Sequence, residues 1–514
     1  MTQLIRGGLV ASGLDEDPAP RDVLVDGETI AAVEPPGTIP DGTAEPVDAT
    51  GLVVAPGFVD VHSHADNAPL LESDDTTKIL QGVTTEVVGN CGFSLAPVVA
   101  EHRADLAALC GRIFPDIDWR WSSFAGLMET LDAAGYVTNY VPLVGHGTLR
   151  LAVAGMADRP TTPDERARMG ELLREATDAG AFGVSSGLIY PPAVFSDTEE
   201  LVALARHLPE GRLYATHMRN EGAGLLASIE EALAIGRAAG RRVQVSHLKA
   251  AGEPNWGGVP AALERLAAAR ADGAVVAQDA YPYTASSTML TTRLPAWAQD
   301  GGDAAVLERL ADPATLRRLR DECGAGWDRV LVASTASHRF EGSTVEETAE
   351  RLGVEPFDAF VEILRSERLR VSAVLFTMHE NDLLAALADP HTMIGSDGLP
   401  PGVGGRPHPR LFGTFPRVLG RYVREQQVFG LGTAIHKMTG LPAATFGLTG
   451  RGVVTPGNVA DLVAFDAAEV TDVGDYRDPV HPPRGLAWVM QAGTTVVRDG
   501  RWLGVRLGRR LLPG

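Results

Sequence analysis

Along most of the chain, short apolar runs alternate with longer stretches in which apolar residues recur every three or four positions. The short runs are "APGFVDVHSH", "VTTEVVGNC", "NYVPLVGHG", "AFGVSSGLIY", "RLYATHMRN", "RVQVSHLKA", "AVVAQDAYPY" and "HTMIGSDG". Each is rich in β-branched or apolar residues and bounded by turn residues, which predicts a strand. Stretches such as "TPDERARMGELLREATDAG" and "GLLASIEEALAIGRAAG" lie between them and carry the helical period. Strand and helix in alternation require a parallel sheet, so residues 56–447 are expected to form an α/β fold of the (β/α)8 TIM barrel kind. One interval is too long for a simple unit. About 100 residues separate "YPYTASSTML" from "HTMIGSDG" and include the strand-like "RVLVAST", which predicts an insertion between barrel strands 7 and 8, with residues 288–345 as a candidate lid.

The two ends of the chain read differently. Near the start, "VLVDGETIAAV" alternates apolar and polar positions around Asp26-Gly27, and near the end "TTVVRDGRWLGV" does the same around Asp499-Gly500. Both have hairpin composition. Residues 1–55 and 448–514 are therefore expected to assemble one small β-sandwich domain from both termini.

Charge and composition narrow the partners. Forty-five basic residues against 66 acidic ones leave a formal charge of −21 in 514 residues, with no basic run suited to a row of phosphates, so nucleic acid is excluded as a partner. No apolar stretch approaches the roughly 18–20 residues of a spanning helix, and "MTQLIRGGLVASG" has no sustained apolar segment, so neither membrane insertion nor export is expected. Three cysteines, at 91, 110 and 323, without a CxxC pair, suit a reducing, cytoplasmic setting. Cys110 and Cys323 fall in helix-like stretches and read as packing residues.

The chemistry-bearing residues gather where such a fold places its active site, at the C-terminal ends of the strands. The first strand ends in His62 and His64, the second in Cys91, the fifth in His217, the sixth in His247 and the eighth in Asp397. Imidazoles two residues apart on a strand share one side, so His62 and His64 form a two-pronged metal grip. Thiolate together with imidazole points to zinc, whereas magnesium or calcium would require mostly oxygen donors. Lys249, two residues beyond His247, is directed to the same region by the same alternation. His146, flanked by glycines in "LVGHGTLR", reads as a turn residue. His338, His379 and His408 lack the strand-end setting, although His379 or residues 288–345 would contact a substrate if the insertion folds over the site.

Taken together, "PGFVDVHSHAD" resembles the metal motif of the metal-dependent amidohydrolase superfamily. "GNCGFSLAP", "THMRNEG", "VSHLKAAG", "YPYTASSTML", "IGSDGLP" and "HPRLFGTFPRVLG" resemble its D-aminoacylase (N-acyl-D-amino-acid deacylase) branch in wording and order. The closing "KMTGLPAATFGLTGRGVVTPGNVADLVAFD" is similar to the segment that leads such proteins back into their β-sandwich. The resemblance spans nearly the whole chain. It implies that Cys91 stands where most of the superfamily has a carboxylated lysine bridging two metals. One tight zinc on Cys91, His217 and His247 is then implied, with His62, His64 and Asp397 around a second, weak or optional position.

The same resemblance implies hydrolysis of the linear amide of an N-acyl-D-amino acid, a small-molecule substrate, to a carboxylate and a D-amino acid. Metal-activated water attacks the amide, with Asp397 as general base and then general acid. A substrate carboxylate is expected at Lys249, and the family's motifs add Tyr190, Tyr281, Ser287 and Arg410, with Ser286 adjacent to Ser287. Two rival readings are a cyclic amidase of the hydantoinase or dihydroorotase type, which commonly has lysine in place of Cys91, and a non-catalytic barrel scaffold.

Overall fold

The computed structural model describes residues 2–399 and 404–514. Eight strands run parallel and in chain order: β1 (Phe58–Asp60), β2 (Val83–Val88), β3 (Asn139–Pro142), β4 (Gly183–Gly187), β5 (Leu213–His217), β6 (Arg242–Val245), β7 (Val276–Ala280) and β8 (Thr392–Ile394). β1, β2 and β3 form one ladder. The chain resumes at Val144–Gly145 to pair with β4, and the ladder continues through β5, β6, β7 and β8. A parallel bridge between Ser63 and Gly398, with the Asp397 amide donating to the His62 carbonyl at 2.7 Å, ties the chain after β8 to the chain after β1.

These strands are buried on both faces, as parallel sheets covered by helices are. In β2 even Thr84, Thr85 and Glu86 are buried, and a buried carboxylate requires partners. Lys78 Nζ donates to Glu86 Oε1 at 3.1 Å and to Asp60 Oδ2 at 2.8 Å, while Ser63 and Thr138 donate to the same glutamate. The helices begin and end where the sequence signals. Pro163–Asp178 opens with a capping box between Thr162 and Glu165 and with proline in its first turn, and Leu225–Ala239 closes on Gly240 at φ 66°. His146 opens the helix His146–Ala154 and pairs with buried Glu200 at 2.7 Å, beside Arg150, an anchor outside the strand-end donor clusters.

Strands from both termini join in one seven-stranded sheet, in which Leu462–Phe465 runs antiparallel to Val53–Pro56. A four-stranded sheet holds Thr2–Arg6, Asp22–Asp26, Thr29–Glu34 and Glu45–Asp48. In the first hairpin Asp26 pairs with Thr29, so the turn residues are Gly27 and Glu28, whereas Asp499 and Gly500 form the turn of the second. The last residues leave these sheets: Leu511 donates to the Tyr140 carbonyl at 2.8 Å and Tyr140 to the Arg509 carbonyl at 3.0 Å.

Between β7 and β8 lies a three-stranded antiparallel sheet of Ser286–Met289, Val371–Leu375 and Val330–Thr335, with Val371–Leu375 in the middle. Four α-helices, from Gly302–Arg309 to Pro356–Ser366, pack with it around their own apolar cluster, which includes Leu290, Trp327, Phe360 and Val371. No helix among the described residues is long and apolar enough to cross a membrane.

Candidate active site

The ends of the parallel strands present the expected residues at one point. His62 and His64 follow β1, Cys91 follows β2, His217 closes β5, His247 follows β6 and Asp397 follows β8. Cys91 (φ 53°), His247 (φ 36°) and Asp397 (φ 49°) occupy the left-handed region that residues with a Cβ normally avoid. Such backbone is held by close packing. A Cβ on Gly187 would lie 1.9 Å from the Cys91 carbonyl oxygen, and one on Gly92 would lie 2.6 Å from the Gly187 nitrogen. Only glycines let the chain after β2 press against the end of β4, and that contact fixes where Cys91 stands.

Two donor clusters share the thiol. His62, His64, Cys91 and Asp397 form one and Cys91, His217 and His247 the other, with ligand atoms within 4.8 Å of one another in each. Cys91 Sγ lies 3.2 Å from His62 Nε2 and 3.4 Å from His247 Nε2. Asp397 Oδ1 lies 3.2 Å from His64 Nε2 and 3.5 Å from His62 Nε2. Burial alone would raise the Cys91 thiol, but His62 and His247 hold it well below its ordinary value. Burial also opposes the charge on Asp397, which Arg410 and His62 reverse, keeping it well below the carboxylate range.

Side chains behind the clusters orient them. Asp279 Oδ1 accepts from the His247 amide at 2.8 Å and lies 3.4 Å from His62 Nδ1. Glu221 sits beside two of the imidazoles, 3.0 Å from His247 Nδ1 and 3.6 Å from His217 Nε2, and accepts from Lys249 Nζ at 2.5 Å. Sequence reasoning missed both carboxylates. Glu221 had a faint signal, since "THMRNEG" puts it four residues after His217, whereas Asp279 reads as an ordinary residue of a buried strand.

A cavity of about 280 Å³ opens onto the cluster. His64, Cys91, His217, His247 and Asp397 form its floor, and Tyr190, Lys249, Tyr281, Ser286 and Ser287 stand on its walls. Tyr190 shares a hydrogen bond with Thr288 Oγ1 at 2.9 Å. Arg410 lies behind the wall rather than on it: its Nη1 is 2.9 Å from Asp397 Oδ2, its Nη2 donates to the Ser287 carbonyl at 3.1 Å, and its guanidinium lies 4.6 Å from the Tyr281 ring centre. His408, left aside in the sequence reading, supports Arg410 by accepting from its amide at 3.0 Å. The segment from Ser286 to Arg293, with Leu375 and Thr377, brings part of the inserted region to the cavity, whereas His379 instead caps the helix Glu380–Ala388. His338 pairs with Glu341, and Cys110 and Cys323 are buried in apolar clusters.

The donor set suits a metal. One thiol, four imidazoles and one carboxylate converge. Sulfur and imidazole nitrogen around one point are the donors zinc takes, and a calcium or magnesium site would offer more oxygen.

A profile of the amidohydrolase family matches residues 45–501. The chain belongs to the amidohydrolase family. This amidohydrolase is 39% identical to a D-aminoacylase of Alcaligenes xylosoxydans xylosoxydans, over 99% of its own length and 97% of that protein's. It is 37% identical to an N-acyl-D-aspartate deacylase of the same organism, over 99% and 95% of the two chains. Among solved structures, an N-acyl-D-glutamate deacylase from Bordetella bronchiseptica, complexed with zinc and a phosphonate mimic of the tetrahedral intermediate, superposes with a TM-score of 0.86. That pair is 34% identical over 100% of this chain and 99% of the other.

Proposed function

We propose that this amidohydrolase is a zinc-dependent N-acyl-D-amino-acid deacylase, cleaving a linear amide to a carboxylic acid and a free D-amino acid. The observation that carries the reading is the pair of donor clusters sharing Cys91 beside a cavity walled by Lys249, Tyr281 and Ser287. The architecture that goes with it is a closed (β/α)8 barrel over residues 56–447. Residues 1–55 and 448–514 form a β-sandwich, and the stretch 288–345 belongs to an inserted lid. The consecutive strand order and the Ser63–Gly398 bridge support closure.

Cys91, His217 and His247 would hold the tight zinc, with His62, His64 and Asp397 around a second position. A zinc held there supplies Lewis-acid polarisation of a carbonyl and makes a water acidic enough to lose its proton near neutral pH. The protein's own part is positional. Asp397 Oδ1, facing His62 and His64, takes the proton of the attacking water and returns it to the leaving nitrogen. Lys249, Tyr190, Tyr281 and Ser287 hold the substrate carboxylate, and Arg410 holds Asp397. The carbon–nitrogen bond breaks as water is added across it, the hydroxyl bonding to the acyl carbon and the one remaining proton passing through Asp397 to the leaving nitrogen.

The reading is tested by amine release from N-acetyl-D-methionine and N-acetyl-L-methionine with purified, zinc-supplemented protein. Turnover of the D form alone is expected. Equal turnover of both isomers would reject the handedness, and hydrolysis of hydantoins without action on either would reject the linear-amide reading.

Glu221 gives a second expected result. Its carboxylate orients two imidazoles and neutralises Lys249. Partners of metal-bound histidines typically contribute about 10–100-fold in affinity or activity. Glu221→Gln is therefore expected to weaken zinc retention against a chelator and to raise KM together. Unchanged zinc retention would limit Glu221 to its contact with Lys249.

A further inference from the structure

Lys78 is a buried lysine that the proposed chemistry leaves unused. It precedes the short helix Ile79–Gln81 that leads into β2, and its stem runs against the chain after β8, where a Cβ on Gly398 would lie 3.3 Å from Lys78 Cε. A buried ammonium requires acceptors for each of its three protons. Lys78 Nζ finds them in Asp60 Oδ2 at 2.8 Å, Ser63 Oγ at 2.9 Å and Glu86 Oε1 at 3.1 Å. Two of these acceptors sit beside the donor cluster that Asp397 faces. Ser63 separates His62 from His64. Asp60, at the end of β1, is bonded to the far side of that cluster as well: its Oδ2 also accepts from the Ser396 hydroxyl at 2.6 Å, and its Oδ1 accepts from the Ser396 amide at 2.8 Å and the His62 amide at 3.2 Å. Ser396 immediately precedes Asp397, and its Oγ accepts from the Gly398 amide at 3.0 Å.

Backbone pairing does little to fix this seam. Among the described residues, β1 and β8 share no ladder, and the Ser63–Gly398 bridge joins the segments that follow them. Asp397 also stands at φ 49°, a conformation that its surroundings must impose. Lys78, Asp60 and the two serines supply that constraint with buried, charge-assisted hydrogen bonds, which are among the stronger ones available to a protein. The residues of the other donor cluster rest on different supports. His247 is held by Asp279 and Glu221, and Cys91 by the close approach of Gly92 to Gly187.

Building on the deacylase reading, we infer that Lys78 is a positioning residue for proton transfer: with Asp60 and Ser396 it forms a clasp that sets Asp397 Oδ1 against His62 and His64 and takes no part in holding the tight zinc. The distances at stake are the 3.5 Å and 3.2 Å from Asp397 Oδ1 to those two imidazoles. A general base works only within hydrogen-bond reach of the proton it takes, and a misplacement of about 1 Å costs on the order of 100-fold in rate.

Wild type, Lys78→Met and Ser396→Ala are compared as zinc-supplemented full chains. Lys78→Met leaves two buried carboxylates without their cation, whereas Ser396→Ala removes one hydroxyl and strands no charge, so Ser396→Ala decides if Lys78→Met does not fold. In both variants kcat for N-acetyl-D-methionine is expected to fall by about 10- to 100-fold, with KM unchanged and the zinc still retained on a chelating column. On the Asp397→Asn background neither change should lower kcat much further, because both act through Asp397; a general loss of stability would produce neither that pattern nor the split between kcat and KM. A crystal structure of Ser396→Ala is expected to show the Asp397 carboxylate displaced from His62 and His64. Unchanged kcat, losses that multiply with those of Asp397→Asn, or loss of the tight zinc would overturn the inference. If the zinc-loaded wild type releases amine from neither isomer of N-acetylmethionine, the deacylase reading falls, and the crystal structure alone judges the clasp: an Asp397 carboxylate found in its wild-type place would overturn it.

Discussion

Cys91→Ala is expected to lose tightly held zinc on passage through a chelating column and to lose turnover of N-acetyl-D-methionine by on the order of 1,000-fold, whereas Cys110→Ser and Cys323→Ser keep both. The magnitude follows from position. Removing an outer partner of a metal ligand typically costs about 10–100-fold, and Cys91 belongs to both donor clusters at once. Its sulfur stands within 3.4 Å of His62 and His247. Without the thiolate those imidazoles face one another with no anion between them. Metal binding is also bound up with the protonation of its ligands, and the histidines around Cys91 already favour the thiolate over the thiol. The other two cysteines lack this setting. Burial pushes the Cys110 thiol well up and Cys323 up to about 11, as befits inert packing residues. Retention of zinc and of turnover by Cys91→Ala would reject the shared-thiolate arrangement.

How far the sequence reveals this arrangement depends on the range of the interactions that build it. The eight strands are legible because a parallel sheet covered on both faces leaves short apolar runs in a helical background, and each quoted run contains an observed parallel strand. Cys91, His217 and His247 were legible because a strand's end is also where its side chains meet their neighbours. Features fixed by contacts between distant segments were not. Glu221 acquires its role from Lys249, 28 residues on, and Asp279 from His62 and from the His247 amide. The motif predicts that Arg410 touches substrate, yet it is fully buried, paired with Asp397 and off the cavity lining, a depth that no local pattern encodes. The inserted sheet has its central strand at Val371–Leu375, beyond the stretch 288–345, because antiparallel pairing joins segments whose order in sequence says little about their order in space. The left-handed backbone at Cys91, His247 and Asp397 is likewise a product of tertiary packing, against the local preference of those residues.

Asp397→Asn is the second large expected effect, and it separates holding metal from moving a proton. Asparagine preserves the shape of the side chain and can still accept from Arg410, but it cannot take up and return a proton at the position facing His62 and His64. General acid–base groups contribute about 100- to 10,000-fold, so kcat is expected to fall within that range while the zinc on Cys91, His217 and His247 stays bound. Arg410→Lys is expected to act through Asp397. Lysine retains charge but not the guanidinium geometry that reaches Asp397 Oδ2 and the Ser287 carbonyl together, so kcat falls less steeply, and on the Asp397→Asn background the same change adds little. Additive losses would mean that Arg410 touches the substrate itself, as the sequence motif alone suggests. Loss of zinc along with turnover in Asp397→Asn would move Asp397 into the tight metal site, and unimpaired kcat would transfer the proton to another group on the cavity floor.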